Sequence, residues 1–199
     1  MKQKINSWSV RHNSQGGREV FIKAVLQAIP TYAMACFLLP KSLCMELENI
    51  MSGFWWMKNH GKSGMHWGDW KALSALKEDG SMGFRNLSLF NIALLAKQGW
   101  RLLRFPNSLL ACTLTAKYYK DSNFFKSRLG NLSSFTWQSI WTAKSLLLKG
   151  LDWRIEDGQQ VSILDDAWVP GIEEVRLQYS NLNPNLLKVA DLIDANTRK

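Results

Sequence analysis

Apolar residues recur at intervals of three and four along the first part of the chain, which is the spacing of one face of an α-helix. The first such stretch starts at Arg18, and a helix there is expected to end or kink at Pro30. A second long helix is predicted to open at Pro40 and Lys41. Its apolar stripe consists of Leu43, Leu47, Ile50, Met51, Phe54 and Trp55. Thr31 can cap a continuation of the first helix through Phe37, so the sequence predicts two helices and this continuation in the first 57 residues.

Capping residues and prolines set the limits of the next predicted helices. A short helix is predicted over residues 69–76, and a long one runs from Leu87 to Arg104 with Asn86 as its N-cap. Pro106 stops the long helix because proline has no amide hydrogen to continue the ladder. A further helix is predicted to start at residue 107 or 108 and to end at residue 118 or 119.

The pattern changes from about Asp121. A connector is followed by a helix that begins at Ser134 or Thr136 and ends at Lys149. Residues 153–155 and 161–164 then flank an Asp-Gly pair, which favours a tight β-hairpin. The predicted fold is mainly α, with a helical domain over residues 1–120 and a small α+β segment with one hairpin over residues 121–199.

Charge is concentrated in the first part of this 199-residue chain, whose formal net charge is +9. Residues 1–128 hold 18 Lys and Arg against 7 Asp and Glu, a net of +11, whereas residues 129–199 hold 7 against 9, a net of −2. An excess of this kind favours polyanionic partners, of which nucleic acid is the first to consider.

Three basic residues of the long predicted helix share one face. Lys97, Arg101 and Arg104 stand at i, i+4 and i+7, so their side chains form a stripe. The stripe could follow a nucleic-acid backbone, and the alternative is an ordinary solvated helix face. The residues that could extend this basic surface are Arg18, Lys23 and Arg85. Glu19 is also expected to pair with Lys23, four residues further along the first helix.

A second basic region contains several tryptophans. Trp55, Trp56, Trp67 and Trp70 lie near Lys58, Lys62 and Lys71 in the sequence. Aromatic rings among lysines are able to stack on bases while the lysines meet phosphates. The favoured alternative is that the tryptophans belong to the core, because Trp55 already lies on an apolar stripe.

Metal, redox and nucleotide chemistry find little support in the sequence. The three cysteines form no Cys-x-x-Cys motif, and the spacings of His60, His66, Cys36 and Cys44 do not suit zinc. Trp56 occupies the position where a Walker A loop needs its first glycine. No apolar run is long enough to cross a bilayer. No cofactor, metal or membrane partner is therefore predicted.

An ordered set of short motifs resembles one family. The motifs are Gly17-Arg18-Glu19, Ala28-Ile29-Pro30-Thr31-Tyr32-Ala33-Met34, Phe37-Leu38-Leu39-Pro40-Lys41, Phe54-Trp55-Trp56, His66-Trp67, Gly83-Phe84-Arg85, Ala96-Lys97-Gln98-Gly99-Trp100-Arg101, Ala116-Lys117-Tyr118-Tyr119, Leu151-Asp152-Trp153-Arg154 and Asp166-Ala167-Trp168. In this order they resemble the region after the reverse transcriptase domain in plant LINE-type (non-LTR) retrotransposon polyproteins. Stand-alone plant mitochondrial reading frames of the same origin are also similar.

The resemblance implies a parent protein that copies RNA into DNA. Catalysis there depends on a Tyr/Phe-Ala-Asp-Asp motif upstream of this region, and no such motif occurs in this sequence. Asp165-Asp166 matches a different element of the family, the Asp-Xaa-Trp motif. The resemblance therefore implies a non-enzymatic piece in the position of a polymerase thumb, truncated before the zinc-binding module and the RNase H-like domain of the parent.

Three functional hypotheses follow from these expectations. The leading one is a non-catalytic fragment that contacts RNA or a DNA–RNA hybrid weakly, through backbone electrostatics and without sequence preference. The second is a structural fragment that packed against the polymerase domain of the parent element. The third is a pseudogene product without function. The expected compartment is intracellular, either the nucleus or the mitochondrion.

Overall fold

The computed structural model describes residues 14–57, 65, 67–120, 122–150, 158–159, 161–163 and 187–193. These residues include eight α-helices, which we number in chain order. They are α1 (Gln15–Phe21), α2 (Thr31–Cys36), α3 (Lys41–Trp55), α4 (Trp70–Leu73), α5 (Leu87–Arg104), α6 (Leu109–Tyr118), α7 (Phe135–Thr142) and α8 (Lys144–Lys149). The chain divides into two compact units, Met1–Leu147 and Leu148–Lys199.

Side-chain caps explain where three of the helices begin. The Asn86 side chain accepts a hydrogen bond from the backbone N–H of Leu89 at 3.0 Å, which confirms the predicted start of α5. Ser108 caps α6 and Ser134 caps α7 in the same way, each through its hydroxyl oxygen at 3.3 Å. The sequence allowed α6 to start at Asn107 or Ser108 and α7 to start at Ser134 or Thr136. In the structure the N-cap is the serine in both cases.

Other helices differ from their predicted limits. The first begins at Gln15 rather than Arg18, continues beyond Phe21 as a π-helix over Ile22–Leu26, and ends before Pro30 as predicted. The short predicted helix is reduced to α4 and followed by a 3₁₀ turn over Lys77–Asp79. The last predicted helix is divided at Ala143 into α7 and α8. In the first turn of α3 the buried position is Cys44 rather than Leu43, which is 39% exposed, whereas Met51, Phe54 and Trp55 of the predicted stripe are buried.

The long helix α5 contributes to two hydrophobic cores. Leu87 at its start belongs to the first core, whereas Leu95 and Leu102 belong to the second. The other buried members of the first core are Ile22, Leu26, Met34, Cys44, Met51, Phe54, Trp55, Trp70 and Phe84. The other buried members of the second are Ala96, Ala111, Leu114, Tyr119, Phe124, Trp137, Ile140 and Ala143. Because α5 packs on α2, α3, α6 and α7, it is the central element of the first unit.

A buried amide fixes α5 against α2 and the segment that follows it. The Asn91 side chain accepts a hydrogen bond from the N–H of Leu39 at 2.7 Å, and its NH₂ group donates to the carbonyls of Met34 and Phe37 at 2.7 and 2.9 Å. A buried asparagine with donor and acceptor both engaged satisfies backbone groups that no helix can satisfy. This contact therefore sets the position of α5 and, with it, of its exposed face.

The second unit is described only in short segments. Ser162 and Lys188 form an isolated antiparallel bridge, and a 3₁₀ turn follows over Val189–Leu192. Gly158 has a φ of +69°, and a Cβ placed there would lie 2.5 Å from the backbone nitrogen of Ala190. The predicted hairpin is not shown, because most of its first strand and turn lies outside the described residues.

Among the helices that the structure describes, none is long and apolar enough to cross a membrane.

Candidate nucleic-acid interface

The exposed side of α5 carries the basic stripe. Lys97, Arg101 and Arg104 are all exposed, and the buried residues Leu95 and Leu102 lie on the opposite side of the helix. With 3.6 residues per turn, Lys97 and Arg104 point almost directly away from the core. Packing on one side of α5 therefore leaves three cationic side chains together in solvent.

The stripe lies in a stretch of chain that contains no carboxylate side chain. Between Asp79 and Asp121 there is no Asp or Glu. The same stretch contains six cationic residues, namely Arg85, Lys97, Arg101, Arg104, Lys117 and Lys120. The one ion pair in the described part of the chain joins Lys23 to Glu19, at 2.5 Å. The positive charge of α5 is therefore not balanced from within α5 or α6.

A surface pocket lies at the C-terminal end of α5. Arg101 and Arg104 line it from the helix, and the turn over residues 105–108 lines it from the other side. The turn is held by a hydrogen bond from the N–H of Ser108 to the carbonyl of Phe105 at 3.1 Å. The ring of Phe105 is 58% exposed. Two arginines thus line a concave surface that could receive an anion.

Arg85 lies on an extension of the same face. Its guanidinium carbon is 4.4 Å from the centroid of the Phe90 ring, a cation–π arrangement. Phe90 is seven residues before Lys97, so the two lie on one face of α5 about two turns apart. The contact therefore places Arg85 beside Phe90, about two turns before Lys97, where the Phe90 ring also packs against the first core.

Lys23 and Arg18, which were predicted to extend the basic surface, interact with groups outside α5. Lys23 binds Glu19, as predicted, and its Nζ lies 5.6 Å from the centroid of the Phe84 ring. The hydrogen bond from Lys23 holds the pKa of Glu19 below its usual value. Arg18 is buried, and its guanidinium donates to the backbone carbonyls of Trp55 and Met57. Arg18 therefore holds the end of α3, and we leave it out of the proposed surface.

The tryptophan-rich region contributes mainly to the core. Trp55 and Trp70 are buried, and Trp70 stacks on Phe84 at a centroid distance of 5.1 Å. The favoured core interpretation is confirmed for these two rings. Trp67 is 79% exposed. Lys58 and Lys62 lie outside the described residues, so their predicted role stays a prediction.

Sequence reasoning missed one residue of the exposed α5 face. Trp100 is 46% exposed and stands three residues after Lys97 and four before Arg104. That spacing could have been read from the sequence, because i+3 and i+4 positions are neighbours on a helix.

The described residues contain no group of three or more His, Cys, Asp and Glu side chains that could hold a metal ion. Cys36, Cys44 and Cys112 are free thiols.

Comparison with known proteins places the chain in a family. An uncharacterized mitochondrial protein of Arabidopsis thaliana is 40% identical over 143 residues, which cover 71% of this chain and 93% of that protein. The chain belongs to the family of that mitochondrial protein. No family model and no solved structure matches the chain.

A second relative is much longer. A protein of Arabidopsis thaliana named "Putative ribonuclease H protein" is 33% identical over 176 residues, which cover 86% of this chain and 28% of that protein. The chain thus spans less than a third of this relative. Sequences of this family therefore occur both as short proteins and as a segment of a longer one, and relatives of these two kinds are typical of plant reading frames derived from retrotransposons.

Proposed function

We propose that the chain derives from the region after the reverse transcriptase domain of a plant LINE-type retrotransposon polyprotein, and that it contacts the nucleic-acid backbone through α5. The ordered motifs support this origin, and so does the relation to a longer protein of which the chain matches 28%. In this proposal the chain contributes no catalytic residue. Its role is to hold RNA or a DNA–RNA hybrid by charge.

The exposed basic face of α5 carries the proposal. Lys97, Arg101 and Arg104 face solvent together, and no acidic side chain occurs in the sequence between Asp79 and Asp121. Neutralisation of phosphates by such side chains releases condensed counterions. Binding should therefore be weak, tolerant of sequence and strongly dependent on salt.

The structural alternative has its own supporting observation. Leu132 is 94% exposed, and Phe135 and Phe37 stack at a centroid distance of 5.5 Å while both remain partly exposed. Apolar surface of this kind is suited to packing against another domain. In that case the chain would be an interaction fragment of the parent polymerase, and it would bind nucleic acid no better than other basic proteins.

The test is a titration of the full chain against labelled single-stranded RNA and a DNA–RNA hybrid, followed by fluorescence anisotropy at several salt concentrations. The variant carries Lys97→Gln, Arg101→Gln and Arg104→Gln. The matched control carries Lys41→Gln, Lys71→Gln and Lys77→Gln, which remove the same charge from exposed positions outside α5. Circular dichroism verifies that each variant is folded.

We expect micromolar binding by the wild-type chain that weakens steeply with salt. Three lost phosphate contacts should reduce the slope of log K against log salt by about 2 on single strands. The control variant can differ in affinity from the wild type because its net charge is lower. Its salt slope should stay steeper than that of the α5 variant, because its substituted lysines make no proposed phosphate contact. Equal slopes for the two variants, or no binding by the folded wild type, would contradict the proposal.

A further inference from the structure

We infer that Trp100 is a base-stacking residue, and that the partner of the α5 face is therefore single-stranded nucleic acid rather than a duplex. The inference rests on the proposed function, because it assigns the partner of the same surface. It adds a residue whose contribution is apolar and depends on the bases, whereas Lys97, Arg101 and Arg104 act on phosphates.

The exposure of Trp100 is the first observation. Nearly half of its surface is in water, although its neighbours Gly99 and Leu102 are buried in the second core. An indole exposed to this degree leaves apolar area in water that burial would otherwise stabilise. A single exposed apolar residue needs no explanation by itself. We assign a role to Trp100 because it lies among three cationic side chains of the same helix.

Helix geometry places the indole within the basic stripe. Lys97, Trp100, Arg101 and Arg104 stand at i, i+3, i+4 and i+7 of one uninterrupted helix. Residues three and four apart have Cβ atoms about 5–6 Å from one another. Trp100 therefore has Lys97 on one side along the face and Arg104 on the other. A base lying on its ring would have its sugar–phosphate backbone next to these cations.

The pocket at the end of α5 could bind the phosphate of a nucleotide whose base stacks on Trp100. Arg101 and Arg104 both line it, and the exposed ring of Phe105 forms part of its wall. Arg101 and Arg104 follow Trp100 by one and four residues, so a phosphate bound by them would lie within about one helical turn of the indole. Aromatic and cationic side chains alternate in this way on surfaces that hold successive nucleotides of one strand.

Stacking on a protein ring requires an open base face. In a duplex the bases are stacked on one another, and a helix lying on the backbone meets only phosphates and sugars. Single strands offer their π-faces, and every base has one, so the contact is tolerant of sequence. Trp100 should consequently favour single strands without adding a preference for particular bases.

The experiment compares three single substitutions in the full chain. Trp100→Ala removes the ring, Trp100→Phe retains an aromatic surface, and Tyr32→Ala removes an aromatic side chain that is 85% exposed on α2. The probes are a labelled single-stranded RNA, a DNA–RNA hybrid of the same length, and an abasic deoxyribose-phosphate strand. The abasic strand keeps the phosphates and has no bases to stack.

We expect Trp100→Ala to weaken binding of the single strand by roughly fivefold to a hundredfold. Trp100→Phe should recover most of this loss, and Tyr32→Ala should have little effect. Binding of the hybrid and of the abasic strand should not change with Trp100→Ala. The salt slope should also stay the same, because no charge is removed.

Two results would overturn the inference in different ways. If Trp100→Ala leaves single-strand binding intact, or weakens all three probes equally, while neutralisation of the basic stripe still lowers the salt slope, stacking is wrong and backbone contact stands. If the folded wild-type chain binds none of the probes, backbone contact and stacking fail together.

Discussion

At the scale of single residues, Asn91 makes three buried or partly buried hydrogen bonds to backbone groups through one side chain. Replacement by alanine removes one acceptor and two donated hydrogen bonds, and the backbone groups of Met34, Phe37 and Leu39 lose their side-chain partner. Each buried group left unsatisfied costs about 1–3 kcal/mol. We therefore expect Asn91→Ala to lower the free energy of unfolding by about 3 kcal/mol in a urea titration.

The control for this prediction is Asn86→Ala. Asn86 is the partly exposed N-cap of the same helix, and loss of an N-cap costs about 1 kcal/mol. Similar losses for the two variants would mean that the buried contacts of Asn91 add nothing beyond an ordinary cap.

Glu48 gives the stability of the fold a defined pH dependence. Its Oε1 accepts a hydrogen bond from the N–H of Leu87 at 2.7 Å, yet partial burial raises its pKa above the usual value of 4.5. A raised pKa means that the folded state binds the proton more tightly than the unfolded chain does. Ionised Glu48 therefore lowers stability at neutral pH, and this cost disappears as the pH falls through its pKa.

Glu48→Gln tests this sign. Glutamine keeps an oxygen that can accept from Leu87 and carries no charge, so the variant should unfold at a higher urea concentration than the wild type at neutral pH. The difference should shrink as the pH approaches 4.5, where the wild-type carboxyl takes up its proton. A difference that stays constant over this range would show that charge burial is not its cause.

At the scale of elements, alanine substitutions at two helical glycines should change the stability of the fold in opposite directions. A Cβ added at Gly53 in α3 would meet nothing within 4 Å. A Cβ added at Gly99 in α5 would lie 3.2 Å from the buried ring of Phe124 and 3.3 Å from Leu147. Gly53→Ala should stabilise the chain by up to about 1 kcal/mol through helix propensity. Gly99→Ala should destabilise it, because overpacking costs about 1–3 kcal/mol.

Thermal unfolding of the two variants checks both signs in one experiment. A higher midpoint for Gly53→Ala with a lower one for Gly99→Ala supports the close packing of α5 on Phe124. Equal increases would mean that the second core yields enough to admit a methyl group.

The elements also show what local sequence can predict. Both ends of α5 were predicted correctly, because the Asn86 cap, the apolar spacing and Pro106 agree within a short stretch. The burial of Arg18 could not be predicted, since its carbonyl acceptors are 37 and 39 residues away in the sequence. The basic stripe follows from helical spacing alone, whereas the contact between Arg85 and Phe90 is seen only in the structure.

At the scale of the whole molecule, α5 joins two cores within the first unit. Leu87 is buried in one core and Leu95 in the other, so neither core is complete if this helix is lost. We expect the first unit to unfold in one cooperative transition, with helix loss by circular dichroism and tryptophan fluorescence giving the same midpoint. A decayed fragment without a fixed structure would instead melt gradually.

A substitution confined to one core sharpens this prediction. Leu95→Ala removes a fully buried side chain from the second core and should cost about 2–5 kcal/mol. The near-ultraviolet signal, which includes Trp55 and Trp70 of the first core, should shift by the same amount as the helix signal. If part of that signal keeps the wild-type midpoint, the two cores unfold separately. The three cations of the basic stripe lie in the same turns of α5 as Leu95 and Leu102, so the basic face would then depend on the stability of the second core alone.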